Sequence, residues 1–224
     1  MAFPSRRSVV LGGLGSVIVA SSAVFGTRAI AADIERPAYD VIERHADFEV
    51  RRYAPRIVAE VEVEGAGKDA SNAGFRVLAN FIFGDNVRRT EIAMTAPVDR
   101  QARSEEIAMT APVDRTKTGK ERWRIAFTMP SQYTMETLPR PNDERVIIRE
   151  IPRSHFAVVR FSGAPGERAV QRRMQALVDA VEEAGLTSAG HPPVYSRYDP
   201  PWTLPFLRRN EIQLELIVDA EDES

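Results

Sequence analysis

Residues 48–84 and 146–185 carry the same signals in the same order, and this repetition constrains the fold more than any other feature of the chain. In the first stretch, Phe48 to Tyr53 reads as a short strand turned at Ala54-Pro55-Arg56. Ile57 to Glu64 then alternates, with Ile57, Ala59, Val61 and Val63 inward and Glu60, Glu62 and Glu64 outward, the period of a half-buried strand. Gly65-Ala66-Gly67 leads into a helix whose buried stripe is Phe75, Leu78 and Ile82 and whose C-terminal cap is Gly84. In the second stretch, Val146 to Ile151 is a strand turned at Pro152-Arg153-Ser154, and Phe156 to Phe161 is the next. Gly163-Ala164-Pro165-Gly166 opens a helix with the stripe Val170, Met174, Leu177, Val178 and Val181, capped by Gly185.

Strands complete each half. Trp123 to Met129 places Trp123, Ile125, Phe127 and Met129 on one face. Val194 to Tyr198 and Glu211 to Ile217 close the second half, with Ile212, Leu214 and Leu216 facing in. Before Trp123 stands an exact duplication: EIAMTAPVDR runs from Glu91 to Arg100 and again from Glu106 to Arg115. Its alternation predicts a hairpin of two strands. Met94 and Met109 would face the core, with Thr95 and Thr110 outward. Pro97 and Pro112 belong at edges, bulges or strand ends.

Each half is therefore strand–strand–helix–strands, an α+β pattern. Two helices cannot cover both faces of a large sheet. They can cover one curved antiparallel sheet, or two half-barrels packed about a pseudo-twofold axis.

Residues 1–31 lie outside this pattern and read as an export signal. Ser5-Arg6-Arg7 is a twin-arginine start, an apolar run spans Val9 to Phe25, and Ala29-Ile30-Ala31 is an A-x-A cleavage site. The expectation is a periplasmic or secreted protein whose domain covers 32–218, followed by a solvated acidic tail, 219–224. No later stretch is apolar enough to span a bilayer. The net charge of −2 shows no basic face for nucleic acid. With no cysteine, disulfides, thiolate metal sites and covalent haem attachment are excluded.

No catalytic signature is present: the chain lacks a G-x-S-x-G elbow, a P-loop, H-E-x-x-H and a dinucleotide fingerprint. Gly65-Ala66-Gly67 reads as a plain turn. His45, His155 and His191 are the three histidines. None stands beside a carboxylate and a nucleophile at a recognisable spacing. The suggestive stretch is Tyr198 to Phe206, a stiff apolar loop followed by Arg208-Arg209-Asn210-Glu211. Either Trp202 and Phe206 wall a site for a flat hydrophobic ligand with carboxylates, held by guanidinium groups, or they plug one end of the barrel while Arg208 and Arg209 pair with acids.

Phe48-Glu49-Val50-Arg51-Arg52-Tyr53, the Ala-Met-Thr-Ala-Pro-Val core of each repeat, Phe127-Thr128-Met129-Pro130, and Tyr198-Asp199-Pro200-Pro201 with Arg208-Arg209-Asn210-Glu211 together resemble the SOUL haem-binding protein family. The motifs stand in family order across residues 39–217. The resemblance implies a distorted antiparallel β-barrel of two similar halves with two helices. It also implies reversible binding of haem or another porphyrin in a shallow apolar groove beside the first helix, at Asn72, Phe75 and Asn80. Arg76, Arg208 or Arg209 would hold the propionates, with Trp202 and Phe206 adding apolar surface. Some members carry a histidine before the motif tyrosine, where Arg52 stands here, and basic residues where Asn72 and Asn80 stand. The iron ligand is left open. The two-half barrel is also similar to effector-binding domains of drug-responsive regulators, which keeps a module for other hydrophobic molecules as an alternative. A small tetrapyrrole-acting enzyme is a further one.

Overall fold

The computed structural model describes residues 34–89 and 104–218. Residues 1–31, expected to be an export signal, the first repeat copy with Met94, Thr95 and Pro97, and the acidic tail lie outside the described residues. Twelve strands and two helices follow in order: β1 (Tyr39–Arg44), β2 (Glu49–Tyr53), β3 (Arg56–Glu64), α1 (Gly67–Ile82), β4 (Asn86–Val87), β5 (Val113–Lys117), β6 (Arg122–Thr128), β7 (Arg140–Pro141), β8 (Ile147–Ile151), β9 (Ser154–Phe161), α2 (Glu167–Glu183), β10 (Thr187–Ser188), β11 (Val194–Arg197) and β12 (Asn210–Ile217). Among the described residues no helix is long and apolar enough to cross a membrane.

The sheet is antiparallel and curled, in the order β1-β2-β9-β12-β11-β5-β6-β3-β8, with β10 on β12; β4 and β7 form a separate ribbon. The halves exchange their leading strands. β2 pairs with β9 of the second half, and β8 pairs with β3 of the first. β5 and β11 join the halves, with Val113 opposite Arg197 and Arg115 opposite Tyr195. This is the two-half distorted barrel with two helices, and β1 is an additional edge strand before the expected pattern.

Both helices end the same way. Gly84 (φ 117°) and Gly185 (φ 74°) take the left-handed conformation that favours glycine. Asp85 N then reaches back to Asn80 O (2.9 Å), and Leu186 N to Val181 O (3.1 Å). Each helix covers one half. Leu78, Phe81 and Ile82 of α1 pack on Val61, Ile125 and Phe127. Val170, Leu177 and Val181 of α2 pack on Ala157, Ile212 and Leu214.

Alternation sends the intervening strand residues to the opposite face, and that face is closed by the curl of the sheet. Glu60, expected outward with Glu62 and Glu64, is buried there and accepts from Arg149 Nη2 at 2.6 Å. Arg51, Glu211 and Gln213 are buried on the same side, beside Tyr53, Phe156 and Val158. The sequence-based polarity of β3 therefore holds for the helix-bearing core but not for solvent.

The second repeat copy is not a strand until Val113. Before it, Ile107 N bonds to Ile82 O (2.7 Å) and Ala111 N to Glu35 O (2.9 Å), so the segment is threaded between the end of α1 and the N-terminal stretch. Out of a ladder, its facing changes. Met109 is exposed, whereas Thr110 is buried and donates to Thr128 O.

Candidate ligand-binding site

The first helix presents two different surfaces. Asn72, Arg76 and Asn80 recur every four residues, and all three are exposed on its outward face. Phe75 is half-buried on the flank, where its ring meets Phe127 edge-on at 5.4 Å. Phe83, just past the helix, is 58% exposed.

The loop between β11 and β12 is rigidly braced. Tyr198 N bonds to Arg209 O, and Asp199 Oδ2 accepts from Arg209 N at 2.5 Å. A single 3-10 turn, Pro205–Leu207, is pinned by Gly163 N to Pro205 O at 2.9 Å. Arg208 turns back into the loop, donating from Nε to Thr203 O (2.7 Å) and from Nη2 to Pro201 O. That bracing holds four large apolar side chains in water: Trp202 at 83% exposure, with Leu204, Phe206 and Leu207 each more than half exposed. Trp202 and Phe206 are therefore not a plug, and Arg208 is a clamp for the loop.

Arg209 is likewise engaged. It donates to Glu211 Oε1 from Nε (3.0 Å) and Nη2 (2.8 Å), and its guanidinium stacks 4.1 Å from the Tyr198 ring. Arg51 Nη1 donates to the same oxygen at 3.1 Å, and Tyr198 donates to Oε2 at 2.7 Å. Burial and the Glu211 charge push the Tyr198 phenol far above its usual range and Tyr53 up to about 12. Arg51 is raised despite burial, because Glu211 holds its proton. Glu211 is thus neutralised within the protein, as expected for a fully buried charge.

Register relates the loop to α1. Phe127, beneath Phe75, is opposite Val113; Val113 is opposite Arg197, the last residue of β11 before the loop. Two strand spacings, about 10 Å, separate Phe127 from Arg197. Phe75 and the base of the Trp202 loop thus flank one strip of sheet on its helix-bearing face. Val113 and Arg197 contribute to its floor, and Arg197 is exposed. Sequence reasoning missed both residues. Their only sequence signal is alternation within β5 and β11, and nothing local says that strands from different halves pair.

No described histidine lies on α1, β5, β11 or the 199–209 loop. His45 stacks on Phe48 at 4.3 Å and faces Glu43. His191 Nδ1 lies 2.6 Å from Glu215 Oε2, and His155 stands within β9. Among the described residues no group of three or more metal-binding side chains converges. The strip presents the half-buried Phe75 and Val113 and the exposed Arg197, with the exposed Trp202 and Phe206 on the loop beyond.

Comparison with solved structures finds similar chains at low identity. The C-terminal domain of EcmrR aligns with a TM-score of 0.54 and 14% identity, over 81% of this chain and 99% of that one. A hydrolase from Listeria innocua aligns at 0.47 and 12%, over 84% and 95%. SAV2435 bound to tetraphenylphosphonium aligns at 0.42 and 12%, over 76% and 94%. A comparison with curated protein sequences finds no match. The profile described as SOUL heme-binding protein matches residues 34–215, almost all of the domain that the structure describes. On that match, the chain belongs to the SOUL haem-binding protein family.

Proposed function

We propose that the protein is exported and binds haem or a related tetrapyrrole reversibly, without covalent attachment and without catalysis. The family match over residues 34–215 carries this reading. The strip between α1 and the Trp202 loop supports it. An apolar ring face would rest against Phe75, Val113, Trp202 and Phe206, and the propionates would meet Arg76 and Arg197. Arg208 and Arg209 contribute through the loop they brace. Apolar contact dominates affinity in such grooves, while a few placed cations set orientation. The lack of cysteine leaves non-covalent contact as the means of holding a porphyrin. Export follows from the Ser5-Arg6-Arg7 and Ala29-Ile30-Ala31 signals, and gives a periplasmic or secreted location.

Haemin titration of residues 32–224 tests the reading. A red-shifted Soret band and quenching of tryptophan emission at micromolar haemin are expected. Quenching should fall mainly on Trp202, which is 83% exposed, rather than on Trp123, which is 6% exposed. No spectral change at that concentration overturns the proposal.

Exposed apolar surface does not by itself select porphyrins, so a module for other hydrophobic molecules is the second reading. A thermal-shift screen separates the two. Stabilisation by amphipathic cations and not by porphyrins would favour the second.

A further inference from the structure

We infer a second small-molecule site, for an amphipathic carboxylic acid, in the cleft framed by residues 35–38, 54–57 and 129–136. The cleft encloses 640 Å³, within the size range of ligand pockets. It is independent of the haem reading, because its polar groups project from the face of the sheet opposite the helices.

One polar group in its wall lacks the partner that burial demands, and a second is weakly partnered. Thr128 is 6% exposed, and its Oγ1 has no hydrogen-bond partner. Its carbonyl is already taken by the Thr110 hydroxyl. A buried hydroxyl left unpaired is an exception that calls for an occupant. Arg56 stacks 5.2 Å from the Tyr53 ring and 5.7 Å from that of Phe156, with one long hydrogen bond to Ser154 Oγ at 3.4 Å. Among the described residues no carboxylate lies within ion-pair distance of it, and Asp114 supplies the largest favourable charge from further off. Burial pushes its pKa down, a desolvation penalty that an anion in the cleft would offset.

These two groups are neighbours. Val58 lies directly opposite Thr128, and Arg56 is two residues from Val58 on the same face. That is a diagonal pair whose backbones are about 7–8 Å apart, so both side chains border the same part of the cleft. Apolar surface in the wall comes from Ile57, Met129, Pro130 and Met135. Methionine there adapts to flexible chains. The acidic groups of the cleft, Glu35, Glu136 and Glu150, are exposed, and two are engaged: Glu35 accepts from Ser131 N, and Glu136 from Thr134 Oγ1. A carboxylate head with an alkyl or aromatic body therefore suits the Arg56 and Thr128 end of the cleft.

Calorimetric titration of residues 32–224 with dodecanoate tests this, with dodecyltrimethylammonium as the charge-reversed probe. Dodecanoate should bind and the cation should not. Thr128→Val removes only the unpaired hydroxyl, so it should weaken dodecanoate about tenfold while leaving the melting temperature unchanged or higher. Arg56→Gln should weaken it further; if that variant does not fold, Thr128→Val carries the test. Saturating dodecanoate should leave a haemin titration unaltered. No heat with dodecanoate, equal binding of the cation, unchanged affinity in Thr128→Val, or displacement of dodecanoate by haemin would each overturn the proposal.

Discussion

Gly74 of α1 faces Ile125 of β6 across a gap too small for a methyl group: a Cβ at position 74 would lie 2.4 Å from Ile125 Cγ1. Helix and sheet approach this closely because the glycine has no side chain. Gly74→Ala gains about 1 kcal/mol of helix propensity. It also forces a methyl into a packed core, which costs about 1–3 kcal/mol and propagates into the backbone. Ile125 is 1% exposed and has nowhere to move, so overpacking wins. The variant should unfold at lower denaturant concentration; an unchanged or higher midpoint would contradict this.

The Glu211 cluster predicts a larger effect. Glu211→Gln removes a buried charge and leaves the guanidiniums of Arg51 and Arg209 facing a neutral amide. Breaking a buried pair from one side typically costs about 3–5 kcal/mol. Glu62→Gln, which removes the exposed partner of Arg124 at 3.4 Å, should cost less than about 1 kcal/mol. Urea denaturation of both variants measures the contrast, and equal effects would remove the distinction drawn between a buried and an exposed carboxylate on the same side of the sheet.

Asp114 sets a pH dependence. Burial pushes its carboxyl up to about 6, partly opposed by the Ser196 hydroxyl bond at 2.5 Å and by Arg56, while Glu211 adds to the rise. The folded protein thus holds this proton more tightly than the unfolded chain, whose aspartates titrate near about 3.9. The contribution from Asp114 is favourable below about pH 4 and is lost as pH rises through about 6. Asp114→Asn keeps a hydrogen-bonding group and removes the titration. It should flatten that part of the stability profile and raise stability at pH 7 by on the order of 2–3 kcal/mol. Denaturation from pH 4 to 7.5 on both proteins checks the sign.

Affinity for haemin should depend on the Trp202 loop without dependence of stability on it. Trp202→Ala is expected to weaken haemin binding about tenfold, or 1.4 kcal/mol, with an unchanged melting temperature. Arg197→Ala should weaken it by a similar factor. Arg208→Ala should loosen the loop and lower both haemin affinity and protection of its backbone amides from exchange. Unaltered haemin affinity in all three variants would place the ligand elsewhere.

Export is testable in the full chain. Arg6→Lys with Arg7→Lys should leave uncleaved precursor in the cytoplasm, whereas the unaltered chain should appear outside it, starting near Ala32. Equal export of both would assign the segment to an ordinary secretory route.

Local signals were legible and pairings were not. The α1 and α2 stripes and their glycine caps could be read because they depend on residues a few positions apart. The alternation of β3 and β12 correctly gave the helix-facing side. It could not show that the other side of each strand would also be enclosed, since that depends on how a curled sheet places Glu60 beside Arg149 and Glu211 beside Arg51. Met109 and Thr110 reversed for a related reason. Their segment alternates like a strand, but its backbone partners are Ile82 and Glu35 rather than a ladder. On the candidate site, Asn72, Phe75 and Asn80 came from family position alone, and the fold places Asn72 and Asn80 on the exposed face of α1. The commitment of Arg208 to carbonyls, and the arrival of Arg197 beside Val113, depended on contacts that leave no trace in local sequence.

The exchange of β2 and β8 between the halves has a consequence for biosynthesis. β2 finds its partner β9 only after about a hundred further residues have been made, and the closing strand β12 comes later still. Neither half is a separable unit, and cutting the chain near Pro141 should yield two fragments that fold only in each other's presence. Contacts this distant in sequence also slow folding. The N-terminal segment leaves the ribosome long before the domain can close, so any export that requires the folded domain would have to wait for β12.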